Sequence, residues 1–467
     1  MDFASLFFLY VFLPVCFLFY WMSRKNQYRN IVLILFSLIF YAWGKPVWVL
    51  LLLFVSVFNY IIGRLIHKYA DRPPAKIAVI ISIILNLSLL SVYKYSAFLI
   101  TNINSVFSLD ISIPSIALPI GISFYIFKAI SYTLDCYWDK VDVQKNYLNF
   151  LLYISLFPQL LAGPIVRYGT IASDITERKI TLSDLDYGIT RIIIGLSKKV
   201  IIANNLAIIV NDMFSGNINQ LSFVGTLYAV IAFALQVYFD FSGYSDIAIG
   251  ISRLFGFKSE ENFKHPFICK DISEFWQRWH ITLGTFFRDY LFMVPIFGKR
   301  RIYLNLFLVW FCTGLWHGAN WNFIIWGLYF GIFIFIEMRI GKKCMKKIPV
   351  VIRHIYSKII IILGFGIFYF QNTAQLLDFF KNLIFLNNNI LLDDITLIYI
   401  LNNIFLLIIA IVLCFPLKKL TDKATLKLPA LQHTFNISKL VLVGGLLILC
   451  SIMLVNDTNT PFLYFQF

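Results

Sequence analysis

Two histidines in this chain sit where polar side chains are expensive. The first is His317 in "LVWFCTGLWHGANWNFIIWGLYFG", residues 308–331, an apolar run interrupted by a Trp-His-Gly step. Burying a polar group at membrane depth without a partner costs several kcal/mol, so an imidazole there calls for a reason. Gly314 and Gly318 beside it allow close backbone approach or an unwound turn, and Asn320 and Asn322 add amides. The second is His280 in "DISEFWQRWHITLGTFFRDYLF", residues 271–292. A neutral imidazole near its working pH can take the proton of a hydroxyl as that hydroxyl attacks an activated acyl group. The competing reading is structural: a packed histidine at 317, and at 280 an ion network of Glu274, Arg278, Arg288 and Asp289. No nucleophile-elbow sequence accompanies either histidine. Asp240 and Asp246 in "QVYFDFSGYSDIAIG" lack metal-ligand spacing and read as partners for basic arginines.

The chain closes on "PFLYFQF", residues 461–467, an apolar tail with a single hydroxyl at Tyr464. An aromatic anchor at a membrane boundary would explain it. So would a tethered phenol that accepts an acyl group as a transient ester, at the high effective concentration that tethering gives.

The elements that must hold these groups are membrane helices. Of 467 residues 60% are hydrophobic, 48 are Phe, and the mean hydropathy is +0.78. Segments 31–44, 77–92 and 395–415 are nearly uncharged and about long enough to cross hydrocarbon, which makes the protein polytopic. The net charge of +16 is spread over loops between the spans, so it argues for cytoplasmic loops and against a nucleic-acid partner. Basic clusters at 23–29, 339–347 and 418–427 predict about twelve crossings with both termini outside. The first apolar stretch, Phe3 to Met22, reads as a retained helix. Residues 148–164 break at Pro158, Gly163 and Pro164 between basic flanks and read as re-entrant. Seven scattered cysteines form no CxxC or Cys/His cluster, so neither a disulfide framework nor a metal site is indicated. No repeat or soluble insertion is visible, and residues 1–467 read as one membrane domain.

Six stretches together resemble the membrane-bound O-acyltransferases, in their bacterial branch of alginate and peptidoglycan O-acetyltransferase membrane subunits (AlgI/PatA type). They are "LPIGISFYIFKAISYTLDCY" (118–137), "FPQLLAGPIVR" (157–167), "YFDFSGYSDIAIG" (238–250), "FWQRWHITLGTFFRDYL" (275–291), "GLWHGANWNFIIWG" (314–327) and the terminal "FLYFQF". The core motifs lie within 118–331; the preceding hundred residues match only in character.

The resemblance implies an all-α helical ring around a central tunnel. It implies His317 as the catalytic histidine, His280 as the second, and Tyr464 as an acyl relay. Trp316, Asn320, Trp276, Arg278 and Trp279 are the candidate tunnel lining. It also implies acetyl-CoA as a cytoplasmic donor with no permanently bound cofactor, the bacterial inner membrane with its lipids as the setting, and an extracytoplasmic, PatB-like polysaccharide O-acetyltransferase as partner. "LGT" at 283–285 and "VPIFGKRR" at 294–301 depart from the common family wording and leave substrate detail open. An Ile, Asn, Lys and Phe-rich composition tilts the polymer toward peptidoglycan. D-alanyl transfer to teichoic acid is the nearest enzymatic rival. A lipid-linked glycan carrier is the rival from another class, but it leaves a Trp-His-Gly without an acidic relay unexplained.

Overall fold

The computed structural model describes residues 1–216, 218–296, 298–387, 389–417, 432–456 and 462–463. The described residues are helical, with one isolated antiparallel bridge at Ile296 and Lys299. In a bilayer core no water pairs with exposed backbone groups, so apolar runs of this length close their hydrogen bonds internally as helices. Among the described residues eight helices are long and apolar enough to cross a membrane, from Val47–Lys68 to Ile437–Val455. Two shorter apolar helices, Phe8–Met22 and Ile302–His317, accompany them. The protein is a multi-pass membrane protein.

By packing the chain divides into two compact units. The first comprises Met1–Ile192 and Tyr244–Glu261. Within it the segment expected to re-enter does break. Asn146 accepts from the Leu148 N–H at 2.9 Å and starts the helix Tyr147–Ser155. Pro158 then has no N–H to continue it, and the chain turns through the 3-10 helix Phe157–Gln159. Nine helical residues rise roughly 13.5 Å, less than half an apolar bilayer. Residues 150–166 are all buried in protein, the condition under which such backbone is tolerated. Asp246 finds the kind of partner the sequence suggested, Arg191 at 2.6 Å, and Arg191 also holds Glu261 at 2.6 Å.

The second unit comprises Ile193–Gly243 and Asn262–Phe467. Its centre is the helical pair Ile302–His317 and Trp321–Met345, joined by Gly318, Ala319 and Asn320. The two helices cross backbone to backbone. A Cβ on Gly314 would overlap the Phe323 carbonyl oxygen, and one on Gly327 would overlap the Trp310 carbonyl oxygen. Around this crossing packs an aromatic core that includes Phe233, Phe275, Trp279, Trp310, Trp326, Phe330, Phe365 and Phe368.

Candidate active site

The helix Ile302–His317 stops because Gly318 is extended, at φ −171° and ψ 157°. His317 is therefore the last helical residue, nine-tenths buried. Three rings stand edge-on to its imidazole, with centroids at 5.0 Å for Trp316, 4.8 Å for Trp326 and 5.4 Å for Phe368. Asn322, in the first turn of the next helix, donates to the Phe368 carbonyl at 3.1 Å, fixing the end of Val350–Tyr369 against the histidine.

His317 faces a pocket whose described lining is Val237, Asp240, Phe241, Trp279, Trp326, Phe365, Phe368 and Leu463. The wall is apolar and aromatic apart from His317 and Asp240. Asp240 pairs with a lysine rather than the expected arginine: Lys199 Nζ lies 2.6 Å from Oδ1, with both side chains at most 5% exposed. A buried carboxylate needs such a counter-charge, because desolvation alone would exceed what isolated burial can tolerate.

His280 is 1% exposed and precedes the short helix Ile281–Phe287 in a left-handed conformation, φ 43° and ψ 53°. The Asn262 Oδ1 accepts from the Thr282 N–H at 3.2 Å and the Thr282 hydroxyl at 2.9 Å, and His280 Nδ1 lies 3.1 Å from the same oxygen. A backbone N–H can only donate, so that atom is an acceptor, and the nitrogen of His280 facing it carries the proton. Nε2 is then the bare, basic nitrogen of a neutral ring. Burial pushes the His280 imidazole down to about 3, which keeps it neutral at ordinary pH.

The structure brings the two histidines together through one indole. Trp316 lies 5.6 Å from His280 and 5.0 Å from His317, ring to ring. Phe241 touches both places, lining the pocket and meeting His280 at 4.7 Å. Trp279 lines the pocket; Trp276 stands one ring further out, against Trp326 at 5.5 Å and Trp310 at 4.8 Å. Arg278 and Asn320 lie outside the described lining. Arg278 turns to Glu274 at 2.7 Å and donates to the Lys264 carbonyl, and Asn320 is the N-cap residue of Trp321–Met345. Among the charged residues near His280, Glu274 pairs with Arg278 and Arg288 with Asp289. Tyr464 lies outside the described residues, but Phe462 and Leu463 before it are described and buried or half-buried at this site.

Two positioning residues were not anticipated. Asn262 fixes the His280 tautomer. Glu337, on Trp321–Met345, accepts from the Ile272 N–H at 2.7 Å and the Ser273 N–H at 2.8 Å, so it caps the helix Ile272–Trp276 from a neighbouring element. Asp271 completes that start by accepting from the Glu274 N–H at 2.8 Å and pairing with Arg353 at 2.6 Å. An acidic residue inside an apolar span was the available signal for Glu337. Asn262 had none.

Residues 139–377 match the membrane-bound O-acyltransferase family. The chain is 38% identical over 380 residues to the "Probable alginate O-acetylase AlgI" of Pseudomonas syringae, covering 80% of this chain and 73% of that protein. It is 32% identical over 418 residues to the "Peptidoglycan O-acetyltransferase" of Helicobacter pylori, covering 81% and 79%. It is 34% identical over 229 residues to the "Teichoic acid D-alanyltransferase" of Bacillus subtilis, covering 46% and 57%. The buried histidine at a helix end, the aromatic pocket it faces and these similarities lead to one conclusion: the chain belongs to the membrane-bound O-acyltransferase family and is a membrane-bound acyltransferase.

Proposed function

We propose that this acyltransferase moves acetyl groups from cytoplasmic acetyl-CoA across the bacterial inner membrane for O-acetylation of an envelope polysaccharide, and that the polymer is peptidoglycan. The observation that carries the site reading is a buried His317 facing a pocket that Leu463, from the last seven residues of the sequence, also lines. His317 takes the proton of an attacking hydroxyl, the oxygen adds to the thioester carbonyl, and the C–S bond breaks. The thiol leaves with a proton, so that thioester and alcohol become ester and thiol. The carbonyl end of the Ile302–His317 helix carries partial negative charge, which favours the imidazolium formed in that step. Aromatic walls exclude water that would otherwise hydrolyse the acyl group. The hydroxyl we assign is that of Tyr464, next after Leu463 in sequence. Its phenyl ester then passes the acetyl group to a hydroxyl of an extracytoplasmic acetyltransferase, and the phenol regains its proton.

The relatives named for alginate favour a second polymer, since one is 38% identical over 73% of its length. Base-released acetate, measured on purified sacculi and on secreted polysaccharide from cells with and without the protein, separates the two. Loss from sacculi alone supports peptidoglycan; loss from secreted polysaccharide alone transfers the assignment. For the chemistry, His317→Ala should lower acetyl transfer by about two to four orders of magnitude with membrane insertion intact. Activity above about a tenth of wild type would remove the base role. Tyr464→Phe deletes one oxygen, and near-normal acetylation in that variant would end the relay.

A further inference from the structure

The Lys199–Asp240 pair has a feature that charge neutralisation does not require. Lys199 occupies one carboxylate oxygen of Asp240, Oδ1, at 2.6 Å. The other, Oδ2, accepts the backbone N–H of Leu463 at 2.9 Å, 223 residues away in sequence. On the lysine side, Nζ sits 4.8 Å from the ring centroid of Phe462, which is completely buried. Two consecutive residues near the end of the chain thus meet the two members of one buried ion pair. One is met through its main chain and the other through its ring face. Asp240 and Leu463 both line the pocket that His317 faces.

We infer that Lys199 and Asp240 form a latch for the terminal segment: they hold its backbone in one register at the His317 pocket, and so act as positioning residues for whatever follows Leu463. A carboxylate accepting a main-chain N–H is indifferent to side-chain identity but fixes the position of the chain, which suits an anchor. The cation over the Phe462 ring adds the side-chain selectivity that the N–H bond lacks. Because the pair is desolvated, neither charge is screened, and the N–H bond to a charged acceptor is stronger than a neutral one. The latch concerns the same site as the proposed transfer and rests on that reading only for its effect on activity.

The test uses the purified full-length protein and carboxypeptidase trimming followed by intact mass. Wild type should retain Phe462 and Leu463. Lys199→Met combined with Asp240→Leu removes both buried charges at once and deletes the acceptor. It should release those two residues at least about tenfold faster. Lys199→Gln with Asp240→Asn keeps an amide oxygen for the Leu463 N–H and should stay within about threefold of wild type. Leu463→Pro deletes the N–H donor together with the leucine side chain, and Leu463→Ala, which keeps the N–H, is its control: the Pro variant should match the Met/Leu variant while the Ala variant stays near wild type, and this arm stands if the Met/Leu variant fails to fold. Adding Leu463→Pro to the Met/Leu variant should produce no further loss, because one contact cannot be removed twice. Trimming of the Met/Leu or the Pro variant at the wild-type rate, or fully additive losses, would overturn the latch. Trimming does not involve acetyl transfer, so it judges the latch even if the proposed reaction fails. If the reaction stands, the Met/Leu and Pro variants lower kcat about tenfold or more with KM for acetyl-CoA unchanged.

Discussion

Glu337→Ala gives the sharpest check on how the site is held. The Glu337 carboxylate is 6% exposed and receives the N–H groups of Ile272 and Ser273, with the Tyr356 hydroxyl at 3.2 Å. Ile272–Trp276 is only five residues long, so its first-turn N–H groups have no partners inside the helix. Truncating Glu337 strands two of them in a buried place at about 1–3 kcal/mol each. Asp271 retains the Glu274 N–H, so about 3 kcal/mol in total is a fair expectation for local opening. At about 1.4 kcal/mol per tenfold this speeds amide exchange by about two orders of magnitude. The assay is hydrogen–deuterium exchange read on peptides spanning 270–280 in detergent-purified protein, with peptides from Val47–Lys68 as the internal reference. Trp276 ends that helix and Trp279 and His280 follow it, so kcat should fall alongside. Unchanged exchange over 270–280 in Glu337→Ala would refute the capping argument, and with it the idea that this carboxylate positions His280.

Further outcomes follow from packing and burial. Gly327→Ala pushes a methyl into the Trp310 carbonyl and the Gly314 Cα, backbone atoms that cannot rotate away, and should destabilise by about 1–3 kcal/mol. Gly445→Ala, with nothing within 4 Å, should be neutral or slightly stabilising; equal thermal midpoints for the two variants would sink the close-crossing reading. Burial holds the folded His280 pKa at about 3, against the ordinary imidazole value of 6.5, so the unfolded chain takes up the proton first and stability falls as pH drops from 6.5 toward 3. Between about pH 6.5 and 5 that is about 2 kcal/mol, which His280→Asn should abolish while keeping a donor for Asn262; parallel melting curves for variant and wild type would contradict it.

The sequence disclosed what depends on local pattern. Gly-flanked Trp-His-Gly announced a break at His317, and Gly318 makes it. Pro158 announced the stop after Ser155. Pairing across the fold was less legible. Asp246 met an arginine as expected, but Asp240 met Lys199, because which cation reaches a carboxylate depends on helix rotation that composition does not encode. Arg278 looked like a site residue beside two tryptophans. One helical turn from Glu274, it pairs locally instead. Asn262 was invisible for the plainest reason: an asparagine in a loop carries no mark of the histidine it will face.

Trp321–Met345 touches both halves of the site. At Trp326 it presses on His317, and eleven residues later Glu337 grips the segment that carries His280. Those two grips are roughly 16 Å apart along a continuous helix, ahead of its left-handed Gly341. One rod therefore gauges the placement of both imidazoles. Substitutions that slide or rotate it will detune the two together, so compensating changes elsewhere must correct both at once. Variation should accumulate more freely past Gly341 than between Trp326 and Glu337, where the helix serves as a ruler.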